Sequence, residues 1–70
     1  MRLVLWRRAW IEFGGRSFFG SYAVDDDGLV TVKTPLGSKA TQLGGSSAIS
    51  IARRLLKELA ADGHARAAPG

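Results

Sequence analysis

The sequence predicts an α+β protein, a three- to four-stranded antiparallel meander with one C-terminal helix packed on one face of the sheet. The first observation is that strand-forming segments are separated by glycine-containing turns at residues 14–15 and 25–28. The second is that apolar residues after position 47 recur at helical spacing. The third is the length of 70 residues, which allows only one domain. We expect a single domain over residues 1–63 and a frayed C-terminal tail over residues 64–70.

The first hairpin is predicted by residues 3–13, which are rich in strand formers and lead into Gly14-Gly15. Two adjacent glycines favour a two-residue turn, because such turns require positive φ angles. The second strand then runs from about Arg16 to Val24. This register places Ile11 opposite Phe18, and it continues to Leu5 opposite Val24.

Two further turns divide the rest of the sheet. The run Asp25-Asp26-Asp27-Gly28 predicts a three-residue loop with Gly28 in the left-handed position, since an even pairing keeps the valines on one face. A third strand follows from about Leu29 to Lys33. Pro35-Leu36-Gly37 predicts another turn. Ser38 to Gln42 is then either a short edge strand or an irregular loop.

The helix is expected to begin after Ser46 or Ser47, because a serine hydroxyl at the N-cap accepts a hydrogen bond from an unpaired backbone amide. It should end at about Ala61, with Gly63 as the left-handed residue beyond the C-cap. Its apolar stripe is predicted to consist of Ala48, Ile49, Ala52, Leu55, Leu56, Leu59 and Ala60.

The sheet has hydrophobic residues on both faces, although a single helix can cover only one. The helix should pack where Gly20 permits a close approach, on the face that carries Ile11, Phe18, Tyr22, Val24, Val30 and Val32. The opposite face has two tryptophans and a phenylalanine, more than the scattered hydrophobes of an ordinary surface. The candidate interface on that face consists of Trp6, Arg8, Trp10 and Phe19.

Three interpretations of this second face remain open. It can be covered by a second copy in a homodimer or by a protein partner. It can bind single-stranded nucleic acid, with aromatic rings stacking on bases and basic groups on phosphates, in keeping with the formal net charge of +4. It can also be filled locally by the amino-terminal segment around Trp6. The candidate anion or nucleic-acid contacts are Lys33, Lys39, Ser46, Arg53 and Arg54.

Residues 37–46 combine hydroxyls, an amide and a lysine before the start of the helix. A phosphate or carboxylate could bind near Gly45 to Ser47 with help from Lys39, because helix amino termini carry unpaired amides. The segment lacks the P-loop order of residues, in which lysine follows the second glycine directly. The alternative is an edge strand whose Lys39 discourages aggregation, and we favour it.

This segment, together with Val30 to Thr34 and Ala52 to Leu59, resembles short uncharacterised proteins of proteobacteria. The resemblance extends over roughly residues 20–60. It implies no activity and no site residues.

The composition argues against catalytic and metal chemistry. The chain has no cysteine, and its one histidine, His64, lies in the expected tail. A Ser-His-Asp arrangement therefore has no positioned base, and Asp25 to Asp27 lack the EF-hand pattern. The apolar run near the amino terminus is too short for a signal peptide or a membrane span. We therefore expect a cytoplasmic, non-enzymatic protein without a cofactor, a metal or a membrane partner, which acts through self-association or a protein partner.

Overall fold

The structure is a computed structural model that describes residues 5–67. One antiparallel sheet has its strands in the order β1-β2-β3-β4, and one helix packs across it. This architecture confirms the predicted α+β meander with a C-terminal helix. The elements are β1 (Arg7–Phe13), β2 (Arg16–Val24), β3 (Leu29–Thr34), β4 (Gly37–Gln42) and α1 (Ala48–Ala61).

The first hairpin has the predicted register. Gly14 and Gly15 both have positive φ angles, of 61° and 77°, which a two-residue turn of the hairpin type needs. Ile11 pairs with Phe18 as expected. The ladder ends at the pair formed by Arg7 and Tyr22, so the expected pair of Leu5 with Val24 is not formed, and the side chain of Leu5 is 71% exposed. Residues 3 and 4 of the predicted first strand lie outside the described residues.

The turn between β2 and β3 also has the predicted length. One carboxylate oxygen of Asp25 accepts hydrogen bonds from the amides of Asp27 and Leu29, each at 2.9 Å. Gly28 has a φ angle of 79°, and Val24 pairs with Val30. The loop therefore contains three residues, and the valines stay on the face that carries Phe18.

Ser38 to Gln42, for which the sequence left a strand and a loop as alternatives, belongs to a strand. β4 pairs with β3 over six residue pairs, from Leu29 with Gln42 to Thr34 with Gly37. The sheet consequently has four strands, with β1 and β4 at its edges.

The helix begins and ends as predicted, but its buried residues differ from the predicted stripe, in which Ala48 and Ala60 are only partly buried. Ser47 is the N-cap, and Gly63 follows the C-cap with a φ angle of 78°. Ile49, which we expected in the core, is 42% exposed, whereas Ile51 is only 3% exposed. The two isoleucines flank the apolar stripe on opposite sides, so the position of the helix over the sheet decides which one is buried. The buried residues of α1 are Ile51, Ala52, Leu55, Leu56 and Leu59.

Gly20 permits the predicted close contact between helix and sheet. A Cβ atom at this position would lie 3.1 Å from Leu56 Cδ1 and 3.1 Å from the carbonyl oxygen of Lys33. Leu56 is fully buried and belongs to the same core cluster as Val30 and Val32, which are also fully buried. The core of the protein thus lies between α1 and one face of the sheet.

The described part of the expected tail, residues 64–67, contacts the sheet. The hydroxyl of Thr34 donates a hydrogen bond to the carbonyl oxygen of His64, Ala65 is buried, and Ala67 forms a β-bridge with Phe18. The reason is that β2 pairs with β3 only over Ser21 to Val24, which leaves the first half of β2 without a neighbour on that side. Residues 68–70 of the predicted tail lie outside the described residues.

Candidate interaction surface

The sheet face that points away from α1 is called here the open face. Its aromatic residues are Trp6, Trp10 and Phe19, and their side chains are 45%, 51% and 49% exposed. Successive residues of a strand point to opposite faces, so Trp10 lies on the open face while Ile11 and Ala9 are buried under the helix. The candidate interface predicted from the sequence is therefore a contiguous surface of β1 and β2.

Trp10 and Phe19 are direct cross-strand partners. Hydrogen-bonded and non-hydrogen-bonded residue pairs alternate along an antiparallel ladder, starting from a hydrogen-bonded pair at the two-residue turn. Trp10 and Phe19 are therefore a non-hydrogen-bonded pair. Side chains lie closer together in such pairs, so the two rings form one continuous apolar area.

Trp6 lies just beyond the end of the ladder and has a partner within the chain. The ammonium nitrogen of Lys33 is 5.1 Å from the centroid of its ring, in a cation–π contact. Ala23, on the same face, is only 5% exposed. Local packing therefore accounts for part of the surface around Trp6, while about half of its side chain remains in contact with solvent.

Two basic residues lie in one row across the open face. Arg8 is the partner of Ser21, and Ser21 is the partner of Lys33 on its other side. The two basic residues are therefore two strand spacings apart, about 10 Å. A shallow groove of about 350 Å³ runs along this row, and no acidic residue lines it. Its lining residues are Arg8, Phe19, Gly20, Ser21, Lys33, Thr34 and Pro35.

Lys39 does not join this row, because it lies on the helix-covered side of the sheet. Its ammonium nitrogen is 3.0 Å from a carboxylate oxygen of Glu58 and 3.4 Å from one of Asp62. The hydrogen bond to Glu58 is the main cause that raises the pKa of Lys39, and the Asp62 carboxylate adds to it. The positive charge of Lys39 is thus matched by two carboxylates of α1 and its C-cap.

Ser46 is exposed and is not the helix cap. Its amide donates a hydrogen bond to the carbonyl oxygen of Leu43, whereas Ser47 accepts from the amide of Ser50. Lys39 contacts Asp62 at the carboxyl end of α1, about 20 Å along the helix from its amino end. The structure therefore does not bring Lys39 to the helix start for the anion site considered from the sequence.

Arg53 and Arg54 are exposed neighbours on α1 with different surroundings. Arg53 lines a groove of about 230 Å³ at the outer edge of β1, and Arg54 is not among the residues that line it. Sequence reasoning missed this groove, because it depends on how far the helix extends over the edge of the sheet. The groove is lined by Arg8, Ala9, Trp10, Ile49 and Arg53.

Among residues 5–67, no three side chains of histidine, cysteine or acidic type are grouped so that they could hold a metal ion. Within the same part of the chain, no helix has the length and apolar character needed to cross a membrane. The chain was also compared with known proteins, and no family model, no curated protein and no solved structure matches it.

Proposed function

We propose that this protein is a non-enzymatic interaction module that associates with a second copy of itself through the open face. The observation that supports the proposal is that three aromatic side chains of one face are each about half exposed, while the one helix within residues 5–67 covers the other face. A contiguous aromatic surface of this kind is typical of protein interfaces. A small chain without disulfide bonds also gains stability from association.

The two halves of the open face differ in side-chain size, which suggests how two copies fit. The β1–β2 half carries the aromatic rings, whereas the β3–β4 half presents the small side chains of Thr31, Ser38 and Ala40 beside Lys33. A two-fold axis parallel to the strands, between β2 and β3, places each aromatic half on the small half of the partner. In this arrangement Arg8 faces Ser38 of the second copy, so the basic residues do not stack on each other.

The size of the open face limits the strength of the association. Four strands about 4.8 Å apart and six residues about 3.3 Å apart give an area of about 20 by 20 Å. This is roughly 400 Å² per copy, half of the roughly 800 Å² that a standard interface buries on each partner. We therefore expect a reversible dimer with a dissociation constant in the micromolar range.

Sedimentation velocity of the wild-type protein from low to high micromolar concentration tests the proposal. We expect the sedimentation coefficient to rise with concentration. The Trp10→Asp variant should remain monomeric over the same range, because it replaces an apolar ring of the contact with a carboxylate that association would remove from water without a partner.

Ile49→Asp is the matched control. Ile49 is another exposed large hydrophobic residue, but it lies on the helix, on the other side of the sheet from the open face. This variant should dimerise like the wild type. A wild-type protein that stays monomeric at high micromolar concentration would refute self-association, and equal weakening by both variants would refute the assignment to the open face.

A second candidate function, binding of single-stranded nucleic acid, is favoured by one observation. The row that contains Arg8 and Lys33 lies between Trp6 on one side and Trp10 and Phe19 on the other, as in surfaces where bases stack beside phosphate-binding cations. We rank it second because only two of the candidate basic residues share this face. Lys39 is matched by Glu58 and Asp62.

Fluorescence anisotropy with a labelled single-stranded oligonucleotide separates the two functions. A nucleic-acid binder should lose affinity steeply with salt, and the double variant Arg8→Gln and Lys33→Gln should reduce the salt dependence. Arg54→Gln serves as the control, because it removes a basic charge outside the open face. Absence of binding at low salt would refute this second candidate.

A further inference from the structure

The outer edge of β1 is unpaired within residues 5–67. The strand order places β1 at one end of the sheet and β4 at the other. The two edges differ in chemistry, since β4 is made of small and polar residues together with ion-paired Lys39, whereas β1 carries two aromatic residues, two arginines and one glutamate. An exposed edge offers backbone donors and acceptors to another strand.

The register shows which backbone groups of β1 are available. A two-residue turn closes on a hydrogen-bonded pair, here Phe13 with Arg16, and hydrogen-bonded pairs then alternate along the ladder. The amides and carbonyls of Arg8, Trp10 and Glu12 consequently point away from β2, toward the open edge. Each of these three residues offers one amide donor and one carbonyl acceptor to a neighbouring strand. Because they are alternate residues of β1, their spacing is that of a β-ladder.

The helix forms a second wall along this edge. Ile49 and Arg53 of α1 and Trp10 of β1 line the same groove of about 230 Å³. The next helical turn continues this wall, because the ammonium nitrogen of Lys57 lies 5.8 Å from the centroid of the Phe13 ring. The groove thus has an apolar floor with basic side chains at both walls, and its lining includes no acidic residue.

We propose that the β1 edge binds an extended acidic segment of a protein partner, which adds to the sheet as a fifth strand. The backbone of such a segment would pair with Arg8, Trp10 and Glu12, as in other cases of strand addition. Acidic side chains on the helix-facing side of the added strand would lie near Arg53 and Lys57. This proposal does not rest on the self-association proposed above, because that contact uses side chains of the open face and leaves the backbone edge of β1 free, although Arg8 and Trp10 border both surfaces.

Two other occupants fit the edge less well. A second copy of β1 would bring its own Arg53 and Lys57 toward the same side chains of the first copy, which is unfavourable for like charges. A nucleic acid offers phosphate oxygens that only accept hydrogen bonds, whereas the edge presents carbonyl acceptors as well as amide donors. A peptide backbone satisfies both.

A fluorescent ten-residue peptide of alternating valine and glutamate is the probe for this site. We expect it to bind in low salt, as measured by anisotropy. The same peptide with lysine in place of glutamate should not bind, because the groove is basic. A version with proline at two central positions should also fail, because proline has no amide hydrogen to donate to the edge. Equal binding of the lysine or the proline peptide would overturn the proposal.

Arg53→Glu and Arg54→Glu form a matched pair of variants, with the same change of charge on adjacent helical residues. Arg53→Glu should weaken binding of the acidic peptide by about tenfold, because the reversed charge turns an attraction into a repulsion. Arg54→Glu should change it much less, since Arg54 does not line the groove. Equal effects of the two variants would show that binding depends only on net charge, which contradicts the proposal.

Hydrogen exchange supplies a readout at the backbone. Addition of the acidic peptide should slow exchange at the amides of Arg8, Trp10 and Glu12, which are not bonded to β2. The alternative result is that raising the protein concentration without peptide slows exchange at the same amides. In that case a second copy occupies the edge and the proposal is wrong. The Trp10→Asp sedimentation result does not decide this question, so the two proposals can fail separately.

Discussion

Both faces of the sheet carry large hydrophobic residues, but these residues differ in solvent exposure between the two faces. Trp10 and Ile11 are neighbours in β1, yet the side chain of Trp10 is 51% exposed and that of Ile11 only 7%. Likewise, Phe19 is 49% exposed while Phe18 next to it is 9% exposed. The difference shows that for these two neighbouring pairs burial is decided by which face the helix covers, and that hydrophobicity alone does not achieve it.

The largest expected effect is at the centre of the covered face. Leu56 is fully buried, so Leu56→Ala should lower the free energy of unfolding by about 2–5 kcal/mol, through lost burial and the cavity left behind. Ile49→Ala removes a similar side chain from the exposed flank of the same helix and should cost about 1 kcal/mol or less. Urea denaturation of both variants tests the contrast, and similar losses would contradict the described helix position.

A somewhat smaller effect is expected where the helix approaches the sheet most closely. Gly20→Ala introduces a methyl group 3.1 Å from Leu56 Cδ1 and from the Lys33 carbonyl oxygen, and should cost about 1–3 kcal/mol. Ser21→Ala changes the next residue, on the open face, and should be nearly neutral. Thermal unfolding monitored by circular dichroism compares the two, and a stabilising Gly20→Ala would show that the contact is loose.

The stability of α1, and with it the packing of the helix on the covered face, also depends on the N-cap of the helix. Ser47→Ala removes the hydroxyl that accepts from the amide of Ser50, which should lower the free energy of unfolding by about 1 kcal/mol. Ser46→Ala is the control, since Ser46 contributes only its backbone amide, to Leu43. Chemical denaturation should separate the two serines, and an equal loss from both would mean that the capping hydroxyl is unimportant.

The smallest effect on the monomer is expected on the open face. Trp10→Ala loses the cross-strand contact with Phe19, which should cost about 1 kcal/mol or less in dilute solution. At high protein concentration the wild type should gain thermal stability through association, and the variant should not. Melting curves at two concentrations test this. A melting temperature of the wild type that does not change with concentration would argue against the proposed dimer.

Much of the fold could be predicted from local sequence. The glycines at 14, 15 and 28 have the positive φ angles that their turns require, and these turns fix the register of β1, β2 and β3. The register in turn assigns Trp10 and Phe19 to the open face. The ends of α1 were also predictable, because Ser47 and Gly63 act through their own backbone and side-chain geometry.

The tail and the surface features around α1 could not be predicted in the same way. The burial of Ala65 depends on β2 extending beyond β3, and the ion pairs of Lys39 depend on the carboxyl end of α1 lying above β4. The groove beside Arg53 exists only because the helix flank overhangs the edge of β1. Each of these features joins residues that are distant in the chain.

The sequence by itself determined the pairing of β1, β2 and β3, the assignment of their side chains to faces and the helix limits, because these follow from alternation along a strand, from glycine conformation and from capping over a few residues. Only the tertiary structure decided which of Ile49 and Ile51 is buried, where residues 64–67 lie and which basic groups share a surface. The physical reason is that a helix with a broad apolar stripe can rest on a sheet in several orientations, and the packing of the whole core selects one.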